Sequence, residues 1–201
     1  MRYSLQAAGW VTLAAFALPC VAYAEGTVPH WQILADKSVI EWTATYGGKP
    51  LKGSFPDFTA DIAFDPVHPE RSKVIAKISM AKVKSDDKDA QENLPTQDWF
   101  AVADYPLAVF EMNQVTHIHY DDYTAVGTLS IRGKTVQVPL FFEANFYNDN
   151  DTSPPTHYAR IVASATLKRL DFGIGQGDWA KTDAVADEVK VVVRIEAKQV
   201  P

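Results

Sequence analysis

Apolar and polar residues alternate along most of this chain with a period of two. Ser38-Val-Ile-Glu-Trp-Thr-Ala-Thr-Tyr46 places Ile40, Trp42, Ala44 and Tyr46 on one face, and residues 57–64 place Phe58, Ala60, Ile62 and Phe64 on one face. The same parity recurs over 72–84 (Val74, Ala76, Ile78, Met80), 123–132 (Tyr123, Ala125, Gly127, Leu129, Ile131) and 134–147 (Val136 to Phe146). It recurs again over 157–169 (Ala159 to Leu167) and 185–198 (Val189 to Ala197). Residues 106–118 alternate less cleanly, with Phe110 and Met112 on one side and Val109 on the other. A strand sends successive side chains to opposite faces, so this pattern predicts eight strands, each with one apolar and one wetted face. Arg132-Gly133-Lys134 reads as a tight hairpin turn.

One segment breaks the pattern. Residues 86–101, DDKDAQENLPTQDWFA, read as helical. Pro95 should divide the segment, with Thr96 capping a short second turn. The predicted class is therefore all-β: an eight-stranded antiparallel barrel with one short helical segment between strands 3 and 4. Half-apolar antiparallel strands bury their inner faces by closing on themselves, and eight strands enclose either a packed core or room for one small ligand. Many inner positions are small, among them Ala44, Ala60, Ala76, Ala144, Ala159, Ala163 and Ala165. They leave space for a cavity, unless the bulky aromatics among them interlock and fill it.

Residues 1–24 stand apart. Arg2, an apolar run from Ala7 to Val21 and the small-residue pattern Ala22-Tyr23-Ala24 read as a secretory signal peptide cleaved after Ala24, leaving a domain over 25–201. The run is too short to be a good membrane span. The sole cysteine, Cys20, lies in this segment behind Pro19, where a lipoprotein signal has a small residue. The expected location is periplasmic, with stability drawn from an ordinary core and no disulfide. Loss of Arg2 deepens the net charge from −6 to −7, which argues against nucleic acid as a partner.

Asp171 to Trp179, DFGIGQGDW, carries glycines at 173, 175 and 177. The spacing is not that of a dinucleotide loop, no helix follows, and the kinase companions of a DFG triplet are missing. A sharp bend at the barrel rim remains, and as a hinge it would move to admit a ligand. His117 and His119 share a face near Asp121 and Asp122 and could hold a metal, but a solvated strand end is the simpler account. No nucleophile motif is present, and Asp86-Asp87 suit a helix start. Neither a metal nor a cofactor is expected, and no catalytic residue is assigned. Arg169 and Asp171 continue the inward parity of Ala165 and Leu167, so they form either a salt bridge at the barrel mouth or a contact for a ligand's polar head.

Several segments together resemble the YceI-like family. GTLSIRGKTVQVPL (127–140) resembles its glycine-linked strand pair, and LPTQDWFAVADYPLAVFE (94–111) its L-x-S-x-x-F-F…Y-P-x-x-x-F segment. LKRLDFGIG (167–175) resembles its R-x-D-F-G element, DEVKVVVRIEA (187–197) its closing strand, and GKPLKGSFPDFTADIAFDP (48–66) its opening hairpin. The likeness spans 30–198 in the family's order. It implies a lipocalin-like barrel of an exported bacterial protein that holds a long amphiphile, typically a polyisoprenoid. Carried onto this chain, it points to Trp42, Phe58, Phe64, Phe110, Phe142 and Phe146 as the ligand-binding wall, with Arg169 and Asp171 from R-x-D-F-G. Where many members have His-Leu before the helical turn, this chain has Asn93-Leu94, so no histidine role transfers. The implied function is a non-enzymatic carrier or sequestering protein for an isoprenoid lipid or quinone-like amphiphile. That reading leaves room for transient membrane contact and for a homodimer. The alternatives are an enzyme for a small hydrophobic substrate, with Arg169, Asp171 and Glu111 as its only titrating candidates, and an envelope interaction module without ligand.

Overall fold

A computed structural model describes residues 26–201. The signal-peptide reading of residues 1–24 lies outside the described residues. Among the described residues eleven strands form one antiparallel sheet: β1 (His30–Ile33), β2 (Val39–Tyr46), β3 (Lys49–Phe55), β4 (Phe58–Ala63), β5 (Lys73–Ser79), β6 (Lys84–Ser85), β7 (Leu107–His119), β8 (Asp122–Ile131), β9 (Lys134–Asp149), β10 (Thr156–Lys168) and β11 (Glu188–Val200). Three staves of the barrel are interrupted. β1 and β2 run in succession along β11, β1 at its 197–200 end and β2 at 190–194. β4 pairs β1 while β3 pairs β2, and β5 and β6 continue the next stave along β4 and β3. β7 to β11 follow as long neighbours, and the β11–β1–β4 contacts close an eight-staved antiparallel barrel. Closure leaves few free strand edges.

The alternation read from the sequence recovers every long strand to within a few residues. It misses β1 and β3, and it runs β5 on to residue 84, where a 3-10 turn at Met80–Lys82 separates β5 from β6. β1 is four residues long, too short to show a period. In β3, Pro50 and Gly53 interrupt the apolar series, and both are explained by their neighbours. β3 has only the two residues of β6 on its outer side, which leaves a place for proline. Gly53 lies opposite Trp42, and a Cβ there would overlap the indole ring and the carbonyl of Lys84. Gly127 of β8 plays the same part for Phe110, whose ring occupies the space a side chain would need. The small inner residue at 127 therefore seats a ring and opens no void.

The kink between β1 and β2 is held from the facing strand. The Leu34 N–H donates to the Glu196 carbonyl at 2.7 Å, and the Glu196 N–H donates to Ser38 Oγ at 3.1 Å. The two-residue turn between β8 and β9 has φ of +50° at Arg132 and +71° at Gly133, the left-handed pair of a type I′ hairpin.

The helical segment is shorter than its composition suggests. α1 covers Lys88–Asn93 and is capped by Asp87, whose side chain accepts from the Ala90 N–H at 2.8 Å. Pro95 ends it, and turns continue to Phe100. Thr96 does not cap a second helix. Its hydroxyl donates back to the Asn93 carbonyl at 2.7 Å and so closes the first one. No helix among the described residues is long and apolar enough to cross a membrane.

Candidate functional site

The barrel interior holds two adjoining chambers. The lower one, of about 250 Å³, is walled only by apolar side chains, drawn from nearly every stave. The upper one, of about 140 Å³, lies between the β2–β3 hairpin, α1 and the 169–185 loop. Phe55, Ile131, Leu167 and Val191 belong to both walls and stand where the two chambers meet. The alanines at 60, 76, 144, 159, 163 and 165 line the lower chamber, so small inner residues do leave space there. An apolar void of this size, left empty, forgoes about 6 kcal/mol of packing at roughly 24 cal/mol per Å³.

The aromatic residues divide between the two chambers. Phe58, Phe64, Phe110, Phe142 and Phe146 line the lower chamber, and Trp42 lines the upper. Trp31, which sequence alternation did not single out, also lines the lower chamber; its indole N–H donates to the Phe64 carbonyl at 2.9 Å. Tyr123 stacks on Phe142 beneath them, 5.1 Å between centroids. Burial raises the Tyr123 pKa, and Asp121 adds to the shift, so the ring stays neutral.

The upper chamber has a different chemistry. Asp87, Asp89 and Asn93 stand in its wall beside Trp42, Trp99 and Arg169. The indole nitrogens of Trp42 and Trp99 are buried without a hydrogen-bond partner among the described residues. An orphaned buried donor costs about 1–3 kcal/mol, so such groups call for explanation.

Arg169 is 2 % exposed. Among the described residues it forms no salt bridge, one of the two roles that sequence parity suggests; its donors turn instead to backbone. Its Nε donates to the Ala186 carbonyl, its Nη1 to those of Ile174 and Gly175, and its Nη2 to those of Lys181 and Val185. All five guanidinium N–H groups are thereby committed to backbone. Burial lowers the Arg169 pKa, and the Asp187 carboxylate opposes that shift. The guanidinium also lies 5.9 Å from the Trp99 ring centroid, within cation–π range.

Asp171 is exposed. β10 ends at Lys168, and residues 169–172 turn into a 3-10 helix, so the period-two parity that put Asp171 beside Arg169 stops before it. Glu111, the third titrating candidate, is exposed as well. His117 contacts the Tyr120 carbonyl at 2.7 Å, and His119 pairs with Asp122 at 2.8 Å, both exposed at the far end of the barrel.

The glycine stretch is a bend at the rim. Gly173, Gly175 and Gly177 all have positive φ, at +68°, +77° and +60°. The bend is pinned on both sides. The amides of Gly175 and Gln176 donate to the Asp98 carbonyl at 2.8 Å each. Arg132 donates to the carbonyls of Gly173 and Gln97. Trp179 then packs 5.6 Å from Trp99, joining the bend to the helical segment over the upper chamber.

A closed antiparallel barrel around an apolar cavity, with its polar groups gathered at one end, defines a binding protein for a hydrophobic ligand. Residues 31–197 match the YceI-like domain, and the chain belongs to the YceI-like family. Among curated relatives, a UPF0312 protein of Azotobacter vinelandii is 28% identical over 190 residues, covering 92% of this chain and 96% of the relative. A UPF0312 protein of Pseudomonas aeruginosa is 30% identical over 168 residues, covering 81% and 86%. The crystal structure of Burkholderia cenocepacia BcnA superposes with a TM-score of 0.72 at 26% identity, covering 82% of this chain and 98% of that one. A Campylobacter jejuni YceI protein shares the fold, with a TM-score of 0.64 at 24% identity over 74% of this chain and 85% of its own.

Proposed function

We propose that this protein is an exported, periplasmic carrier or sequestering protein that holds a long isoprenoid lipid or quinone-like amphiphile inside its barrel. The observation that carries the reading is the division of the cavity. A chamber with only apolar walls suits a hydrocarbon tail, and the chamber adjoining it has polar groups in its wall. A tail in the lower chamber would gain about 0.8 kcal/mol per buried methylene before the costs of binding are met. The head would lie among Asp87, Asp89 and Asn93. The saturated fork of Arg169 supports the loop around the head and leaves no N–H for it.

Delivery to or collection from a membrane would require transient contact at the mouth. The signal-peptide pattern at residues 1–24 supports export. Native mass spectrometry of the protein purified from its own envelope tests the proposal. The expected result is a bound mass of several hundred daltons that organic solvent releases. A protein that carries no lipid from the envelope, and takes up none when offered isoprenoid quinones or polyprenols, would overturn it.

A further inference from the structure

We propose that the aromatic floor of the lower chamber is a length gauge, setting how long an apolar chain the barrel accepts. The inference rests on the tail-binding reading above and adds to it the residues that decide tail length.

The floor is a cluster of five rings centred on Phe64. Its centroid lies 5.6 Å from Tyr123, 6.0 Å from Phe142 and 5.9 Å from Phe146. Trp31 closes the cluster at 5.4 Å from Phe146. Phe64 follows the last residue of β4 and is fixed through its backbone at both polar atoms. Its N–H donates to the Pro29 carbonyl at 2.9 Å, and its carbonyl accepts the Trp31 indole at 2.9 Å. The segment that carries Trp31 and the strand end that carries Phe64 are thus tied to each other.

Behind the rings, the barrel wall turns towards its exposed end. Tyr123 packs against His117 at 4.8 Å, and His117 belongs to the exposed end of β7. A tail entering from the upper chamber therefore gains apolar contact with each methylene until it meets the rings. A longer tail must either displace packed aromatics or leave surplus methylenes towards the mouth. Neither adds buried apolar surface at the previous rate.

The wall beside the floor offers a way to move it. Ala159 lies opposite Phe146 in the β9–β10 register, and both line the chamber. Replacing Phe146 by Ala lowers the floor, and replacing Ala159 by Leu raises it. The second change adds side chain to an existing void, so it does not depend on the fold tolerating a new cavity.

The test uses purified protein stripped of endogenous lipid. A homologous series of straight-chain alcohols, from octanol to docosanol, competes with a bound phenylnaphthylamine dye. For the unmodified protein, affinity is expected to rise about fourfold per methylene and then level off at a defined length. F146A should move the plateau to longer alcohols and A159L to shorter ones, with thermal melting confirming that each variant is folded. A plateau at the same length in all three folded proteins, or affinity that rises without levelling off, would overturn the gauge. Failure of every alcohol to displace the dye would instead remove the tail-binding reading on which the gauge rests.

Discussion

A side chain on Gly175 would overlap Nη1 of Arg169, because the guanidinium reaches the 174–186 loop through the space left by the missing Cβ. The two residues form one device. The arginine gathers five carbonyls of the loop that leads into β11, and the glycine supplies both the clearance and a φ of +77°. Replacing Arg169 by Lys leaves at least two of those carbonyls without a donor. The expected loss is about 3 kcal/mol, since an unsatisfied buried acceptor costs roughly 1–3 kcal/mol. Gly175→Ala should lose a comparable amount through the same contacts. Urea unfolding checks both, with a lower midpoint at unchanged slope as the expected result.

Asp171 stands two residues from Arg169 and contributes nothing comparable. Asp171→Asn should change stability by less than about 0.5 kcal/mol, as exposed substitutions generally do. Ligand content should also be unchanged. A loss of bound lipid in this variant, measured by native mass spectrometry, would contradict the placement of the head group in the upper chamber.

Phe142 lines the lower chamber and is 5 % exposed. A carboxylate there has no partner in an all-apolar wall, so Phe142→Asp should expel a bound tail and leave a weaker fold. The readout is lipid recovered per mole of protein. Full lipid content in the variant would count against the cavity as the binding site.

Removing the ligand should itself destabilise the protein. Binding to the folded state alone adds stability that grows with free ligand as RT ln(1 + [L]/Kd), about 2.7 kcal/mol at a hundredfold excess over Kd. Delipidated protein should therefore melt several degrees lower and recover when lipid is returned. Identical melting curves with and without lipid would mean that the cavity does not need filling.

A pH dependence follows from the outer face of the barrel. Tyr147 donates to Glu196 at 2.7 Å, with Lys37 and Arg160 close to the same carboxylate. The Tyr147 hydrogen bond, chiefly, holds the Glu196 pKa below its ordinary value of 4.5. The same bond raises the Tyr147 pKa above 10.0. A depressed carboxylate contributes stability that is present above about pH 4.5 and lost as pH falls through its folded value. A raised phenol contributes stability that is present below pH 10.0 and lost as pH rises through its folded value. Melting temperature measured against pH should show the acid loss in the unmodified protein and a reduced one in Glu196→Gln. Parallel acid limbs in the two proteins would remove the assignment.

Much of the barrel was legible in the order of residues. The long strands β8 to β11 betray themselves because one face is buried, so every second residue there is apolar; β7 alternates less cleanly because its register shifts between Met112 and Gln114. The inward set Phe58, Phe64, Phe110, Phe142 and Phe146 follows from the same rule, as does the space left by Ala144, Ala159 and Ala163 beside Phe142 and Phe146 on β9 and β10. The bend at Gly173, Gly175 and Gly177 was legible because positive φ has a chemical signature. Only the tertiary structure decided the rest. Trp31 reaches the cavity floor from a strand too short to show a period, and its place depends on pairing with β11 and β4. Gly127 and Gly53 read locally as gaps, whereas distant rings fill them. Arg169 looked like half of an ion pair because the parity of β10 was extended past its last residue. Its true partners are five carbonyls of a loop that follows, brought around it by the chain's return into β11. A local pattern records which face of an element is buried, but not which distant atoms meet there once the barrel has closed.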